Sequence, residues 1–266
     1  MAEQILLYPF RNRIKRGISQ SELMQWLEFL SPDILKFEED FVGKVDVTYK
    51  FGTRVIGTGS AAVTGTVAST VNGICRLTTG TTNNGYAGIF PNTDATLEGA
   101  AFLGNNSAVM WARVCLSAIT NAKMEVGFTD ADDDNGAVST LATPTCTADD
   151  CAVWCFDTSD TGNPQWQGVY RRAAGTAVAI EPDLVDIVAA TYEWLGVALL
   201  GDKVKFMHAD QYGNPDYESA WYATAITATD ALVPWIFAQT RSTTSKSGDV
   251  DYMIAYQRRT ATNDPV

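Results

Sequence analysis

Apolar and polar residues alternate along Glu193–Asp210, EWLGVALLGDKVKFMHAD, on both sides of Gly201-Asp202. In the second half Val204, Phe206 and His208 share one face, and Lys203, Lys205 and Met207 share the other. Successive side chains of a strand point to opposite faces, and a two-residue Gly-X link suits a tight hairpin. The stretch therefore predicts a β-hairpin with one buried face. In Val109–Ala118, Val109, Trp111, Arg113 and Cys115 alternate with Met110, Ala112, Val114 and Leu116. Both sets are largely apolar, which predicts a central strand. After a turn at Ile119–Ala122, Lys123–Thr129 returns with Met124, Val126 and Phe128 on one face. Cys151–Asp157, Gln165–Arg172, Ala231–Gln239 and Val250–Gln257 read as further strands. In the last, Val250, Tyr252, Ile254 and Tyr256 are expected to face one way. Asn84-Gly85 predicts a type I′ turn.

The first 36 residues follow another period. Ser19-Gln20-Ser21-Glu22 is a capping box, in which Ser19 and Glu22 satisfy each other's amides at a helix start. Leu23, Trp26, Leu27 and Leu30 then fall on one helical face, and Ser31-Pro32 stops the helix. Upstream, Phe10–Arg16 concentrates Arg11, Arg13, Lys15 and Arg16. The expected organisation is an N-terminal arm with one short α-helix over 1–36, an all-β sandwich over 37–260 and a tail over 261–266. The apolar helix face must dock, either on its own sandwich or on a neighbouring subunit.

Composition narrows the partners. A 266-residue chain with 46% hydrophobic and 19% charged residues is globular. Its formal net charge of −12 opposes phosphate backbones and anionic membranes, so neither nucleic acid nor membrane is an expected partner. Ile5-Leu6-Leu7 precedes the basic residues, the reverse of a secretory leader. The cysteines, Cys75, Cys115, Cys146, Cys151 and Cys155, are odd in number and are expected to be reduced thiols. A Cys146–Cys151 disulfide is conceivable where the mature protein meets oxidising surroundings.

The strand MWARVCLSAIT, the returning strand ending VGFTD, the hairpin WLGVALLGDKVKFMHAD and the closing VDYMIAYQ together resemble the concanavalin A-like lectin/glucanase sandwich, a jelly roll. The resemblance spans roughly residues 37–260. Laminarinase-like enzymes of that superfamily carry three carboxylates on one strand, as E-x-D-x-x-E. This chain departs from the pattern. Glu125 and Asp130 are five apart without a third partner, and Glu38, Glu39 and Asp40 are consecutive and cannot share one cleft. Glycoside hydrolysis needs paired carboxylates, so no catalytic residue is expected.

Eight Asp and no Lys or Arg lie between Asp130 and Asp160. Asp130, Asp132 and Asp134 are weak calcium candidates, set against a solvated acidic turn. Cys146, Cys151 and Cys155 lack zinc-site spacing, and His208 reads as a core histidine. Trp166 and Trp221, near polar loops, are the candidates for stacking on a sugar.

The arm, the Thr/Ala/Gly/Asn-rich strands and the sandwich without its carboxylates also resemble structural proteins of tailed bacteriophages. That resemblance implies a non-enzymatic, cofactor-free capsid decoration protein on the virion surface, often trimeric. It would bind a major capsid protein through Arg11, Arg13, Lys15, Arg16, Leu23, Trp26, Leu27 and Leu30. The alternative is a carbohydrate- or receptor-binding lectin-like module of a phage fibre or tail.

Overall fold

A computed structural model describes residues 34–41, 51–64, 73–91, 101–131, 133–160, 165–182, 184 and 186–258. In chain order the strands are β1 (Ile34–Glu39), β2 (Phe51–Ile56), β3 (Ser60–Thr64), β4 (Cys75–Thr79), β5 (Tyr86–Pro91), β6 (Val109–Leu116), β7 (Ala122–Thr129) and β8 (Val138–Thr140). They continue with β9 (Thr145–Cys146), β10 (Cys151–Asp157), β11 (Gln167–Arg171), β12 (Val178–Ile180), β13 (Glu193–Leu200) and β14 (Lys203–Ala209). The last are β15 (Pro215–Glu218), β16 (Val233–Thr240) and β17 (Ser247–Arg258).

Two antiparallel sheets face each other. The first runs β15-β14-β13-β6-β17-β4-β3, with β1 beside the second half of β17. The second runs β12-β11-β10-β7-β16-β5-β2. Met110, Ala112, Val114 and Leu116 of β6 enter the core from one side, and Met124, Val126 and Phe128 of β7 enter it from the other. Trp154 meets Phe206 edge-on across this layer, at 5.4 Å between ring centroids. Large buried side chains of this kind each contribute roughly 1.5–3 kcal/mol of transfer free energy. The fold is the all-β sandwich that the alternation predicts.

The predicted hairpin forms with the expected register, Leu200 opposite Lys203, and Gly201 takes φ +61° in its turn. The strand expected to be central, β6, lies between β13 and β17.

Four expectations need correction. The return after Ile119–Ala122 does not pair with β6; β7 belongs to the opposite sheet, between β10 and β16. Asn84-Gly85 does turn the chain, with Gly85 N donating to Thr82 O at 2.8 Å, but it links β4 of one sheet to β5 of the other. Only Asn84 has positive φ there (60°), whereas a type I′ turn needs two such residues. In β17 the period breaks between Val250 and Tyr252, so Val250 faces the core while Tyr252, Ile254 and Tyr256 face outward. Asp251 is the extra residue of this bulge and pairs with Arg113 at 2.5 Å. Finally, β1 begins at Ile34, inside the segment assigned to the arm.

Candidate functional site

The outer face of the second sheet carries the carboxylate that the sequence comparison with glucanases singles out. On β7, Met124, Val126 and Phe128 point inward, so Lys123 and Glu125 point out, yet both are 0% exposed. The segment from Asp130 to Asp150, including the β8–β9 hairpin, covers them. Ala137 N and Val138 N donate to the two Glu125 oxygens at 2.8 and 2.9 Å. Trp235 Nε1 adds a third donor at 3.1 Å, and Lys123 Nζ lies 2.7 Å from Oε1. Lys123 also donates to the carbonyls of Asn135 and Val138. The cover turns at Asn135-Gly136, where Gly136 has φ +74°. Its apolar residues Ala137, Val138, Leu141, Cys146 and Ala148 pack on Cys151, Val153, Cys155 and Val169.

This arrangement satisfies a buried charge rather than poising it. An isolated carboxylate in a dry interior is costly, and pairing with hydrogen bonds on the remaining lone pairs offsets that cost. Retaining glycosidases hold a second carboxyl about 5–5.5 Å away and admit a sugar between the two. The partners of Glu125 are donors, and cover backbone occupies the space in front of it. Asp130 does not join it; its carboxylate accepts the amides of Asp149 and Asp150 at 3.1 and 2.9 Å.

Asp130 is thus engaged with the protein itself, and burial raises its pKa. Asp134 accepts the Tyr86 hydroxyl at 2.5 Å, and Asp133 accepts the Asn135 amide at 2.9 Å. Asp132 lies outside the described residues. Among the described residues no group of three or more His, Cys, Asp or Glu side chains is placed to hold a metal ion. Nor is the acidic stretch simply solvated. Asp150 is fully buried and accepts from the Thr227 amide (2.5 Å), the Thr227 hydroxyl (3.1 Å) and the Ala173 amide (2.9 Å).

The two tryptophans considered for sugar stacking do not form one platform. Trp166 is 2% exposed, sits in the inter-sheet core and donates to Glu193 Oε2 at 2.5 Å. Trp221 is half-buried against the outer face of the first sheet, and Lys205 Nζ stands 5.0 Å from its ring centroid. The arm residues Arg11, Arg13, Lys15, Arg16, Leu23, Trp26, Leu27 and Leu30 lie outside the described residues.

His208 is buried, as expected of a core histidine, but it lies between two carboxylates. Nδ1 is 2.5 Å from Asp216 Oδ1, and Nε2 is 3.4 Å from Glu193 Oε2. Burial works against protonation, but the hydrogen bonds with Asp216 and Glu193 outweigh it and raise the pKa to about 9. The hairpin register hints at one partner: Leu195 faces His208, so Glu193 lies diagonally on the same face. No comparable sequence signal marks Asp216. It stands on β15 beyond an irregularity at His208/Ala209, and its side chain is 42% exposed. Close by, Asp210 holds the β14–β15 loop through the amides of Tyr212 (2.8 Å) and Asn214 (2.9 Å). The Tyr212 side chain projects from that loop, 71% exposed.

Fold and face together define a two-layer, antiparallel jelly-roll β-sandwich whose outer carboxylate is sealed. Solved structures share this fold at low identity. A protein of unknown function from Shewanella oneidensis MR-1 aligns over 95% of this chain and 99% of its own, with TM-score 0.60 and 14% identity. Peanut lectin aligns over 86% and 99%, with TM-score 0.54 and 10% identity. The CBM2 module of the evolved Dit of Lactobacillus casei BL23 phage J-1 aligns over 87% and 99%, with TM-score 0.51 and 13% identity. A prokaryotic β-1,3-1,4-glucanase (lichenase) derived from a mouse hindgut metagenome also shares the sandwich, over 84% and 99%, with TM-score 0.52 and 10% identity. No protein-family model and no curated protein matches the sequence.

Proposed function

We propose that this protein is a non-catalytic, lectin-like carbohydrate- or receptor-binding module of a bacteriophage tail or fibre. The observation that carries the reading is the sealed Glu125. The chain has a sandwich shared by lectins and a glucanase, and its outer carboxylate serves as an anchor for backbone rather than as an acid. Likeness to the phage Dit module supports the setting. The contact surface we favour is the β14–β15 edge. There the exposed Tyr212 offers an apolar ring beside Asp210, Asn214 and Asp216, a mixture suited to the C–H face and hydroxyls of a sugar. The test is a glycan array read with the full chain and with Tyr212→Ala. Retention of a defined glycan class, weakened at least tenfold by the substitution, supports the reading. Absence of any glycan binding sinks it.

The second reading is a head decoration protein, favoured by the basic run Arg11–Arg16 and by the helical spacing of Leu23, Trp26, Leu27 and Leu30 in the sequence. On that reading the partner is a major capsid protein, reached through the arm, and the sandwich is displayed on the virion, with trimers favoured. Neither nucleic acid nor membrane takes part, and no calcium or other cofactor is needed. Deleting residues 1–30 would then abolish attachment to capsids, and full occupancy by the truncated chain would exclude the reading.

A further inference from the structure

Two thiols sit at the hinge of the cover. Cys146 ends β9 and Cys151 opens β10, with their sulfurs 3.7 Å apart. Cys151 is fully enclosed, and Cys146 retains 8% exposure. The turn between them is fixed: Thr147 Oγ1 donates to the Gly136 carbonyl, and the amides of Asp149 and Asp150 donate to Asp130. Cys155 shares the face but lies four residues along β10 from Cys151. At about 3.3 Å of rise per residue their Cα atoms are roughly 13 Å apart, beyond the roughly 7 Å that a disulfide spans.

We propose that Cys146 and Cys151 are a disulfide-forming pair whose oxidation staples the cover onto the second sheet. The sulfurs must close from 3.7 Å to about 2.05 Å, a movement of the size that side-chain rotation supplies. The oxidant is a low-molecular-weight disulfide such as glutathione disulfide. Cys146, the more accessible thiol, loses its proton and attacks one glutathione sulfur, releasing one glutathione thiolate. Cys151 then loses its proton and attacks the Cys146 sulfur, releasing the second. Both cysteine sulfurs end oxidised, and the reagent ends as two thiols. The hydrogen bond to Cys146 and burial raise the pKa of Cys151, so few thiolates form and the second step is slow. The bond ties β9 directly to β10, at the end of the same segment whose Ala137 and Val138 amides seal Glu125.

The full chain is equilibrated in a glutathione redox buffer, alkylated, cleaved with trypsin without reduction and mapped by mass spectrometry. Trypsin releases Met124–Arg171, which carries Cys146, Cys151 and Cys155. The oxidised protein should give this peptide with one alkyl label, at Cys155, and two hydrogens fewer at Cys146 and Cys151. Hydrogen exchange at the Ala137 and Val138 amides should slow at least tenfold relative to the reduced form. Three labels in oxidising buffer, a bond to Cys155, a persistent glutathione adduct or unchanged exchange would each overturn the proposal. Cys146→Ser should abolish the bond and Cys155→Ser should leave it. If either variant fails to fold, the wild-type map still decides.

Discussion

Gly136 rests directly on the carboxylate of Glu125. A Cβ at Gly136 would lie 2.6 Å from both Glu125 oxygens, and the residue's φ of +74° already favours glycine. The two residues come from opposite ends of one loop system, the strand β7 and the segment that folds back over it. Gly136→Ala should therefore destabilise the protein by about 2–4 kcal/mol, combining left-handed backbone strain with a steric clash. Urea unfolding of both proteins measures this, and a change below about 0.5 kcal/mol would mean that the contact is relaxed at no cost.

Lys123→Met should be worse than the double change Lys123→Met with Glu125→Met. Removing one partner strands a buried charge and costs roughly 3–5 kcal/mol, while removing both restores neutrality. A double-mutant cycle by denaturant unfolding separates the two outcomes. If the double variant is as unstable as the sum of the singles, the pair is not coupled.

Stability should fall between neutral and alkaline pH because of His208. Its pKa is raised to about 9 in the folded state against about 6.5 in an unfolded chain. The contribution is complete below about 6.5 and is lost as pH rises through about 9, amounting to roughly 3 kcal/mol at most. Unfolding free energies from pH 6 to 10, compared with His208→Gln, should show a slope in the wild type that the variant lacks. A titration of the imidazole by nuclear magnetic resonance with a midpoint near 6.5 would contradict the pairing seen here.

No reducing ends should appear when the protein is incubated with β-1,3- or β-1,4-glucans, and Glu125→Gln should not alter that result. Hydrolysis by the wild type that disappears in Glu125→Gln would mean that the cover opens and that Glu125 acts as an acid.

The strands were legible where one face is apolar and the turn is local. The hairpin through Gly201-Asp202 follows from period-two alternation, because burial of one face fixes which residues point inward, and the central β6 follows from a run that is apolar on both faces. The alternation in β7 correctly placed Met124, Val126 and Phe128 together but could not say which sheet receives them. Either sheet offers the same apolar surface. The bulge at Asp251 was invisible for a related reason: inserting one residue reverses the faces beyond it, and only the partner strand reveals the insertion.

The sequence by itself determined the all-β class, the principal core strands and the want of a third carboxylate between Glu125 and Asp130. Tertiary structure alone decided that Glu125 is sealed, that Trp166 and Trp221 are kept apart and that His208 is held between Glu193 and Asp216. Those facts depend on contacts between segments distant in the chain. Alternation records which way a side chain points, whereas the exposure and the hydrogen-bond partners of Glu125 and His208 are set by what folds back against them.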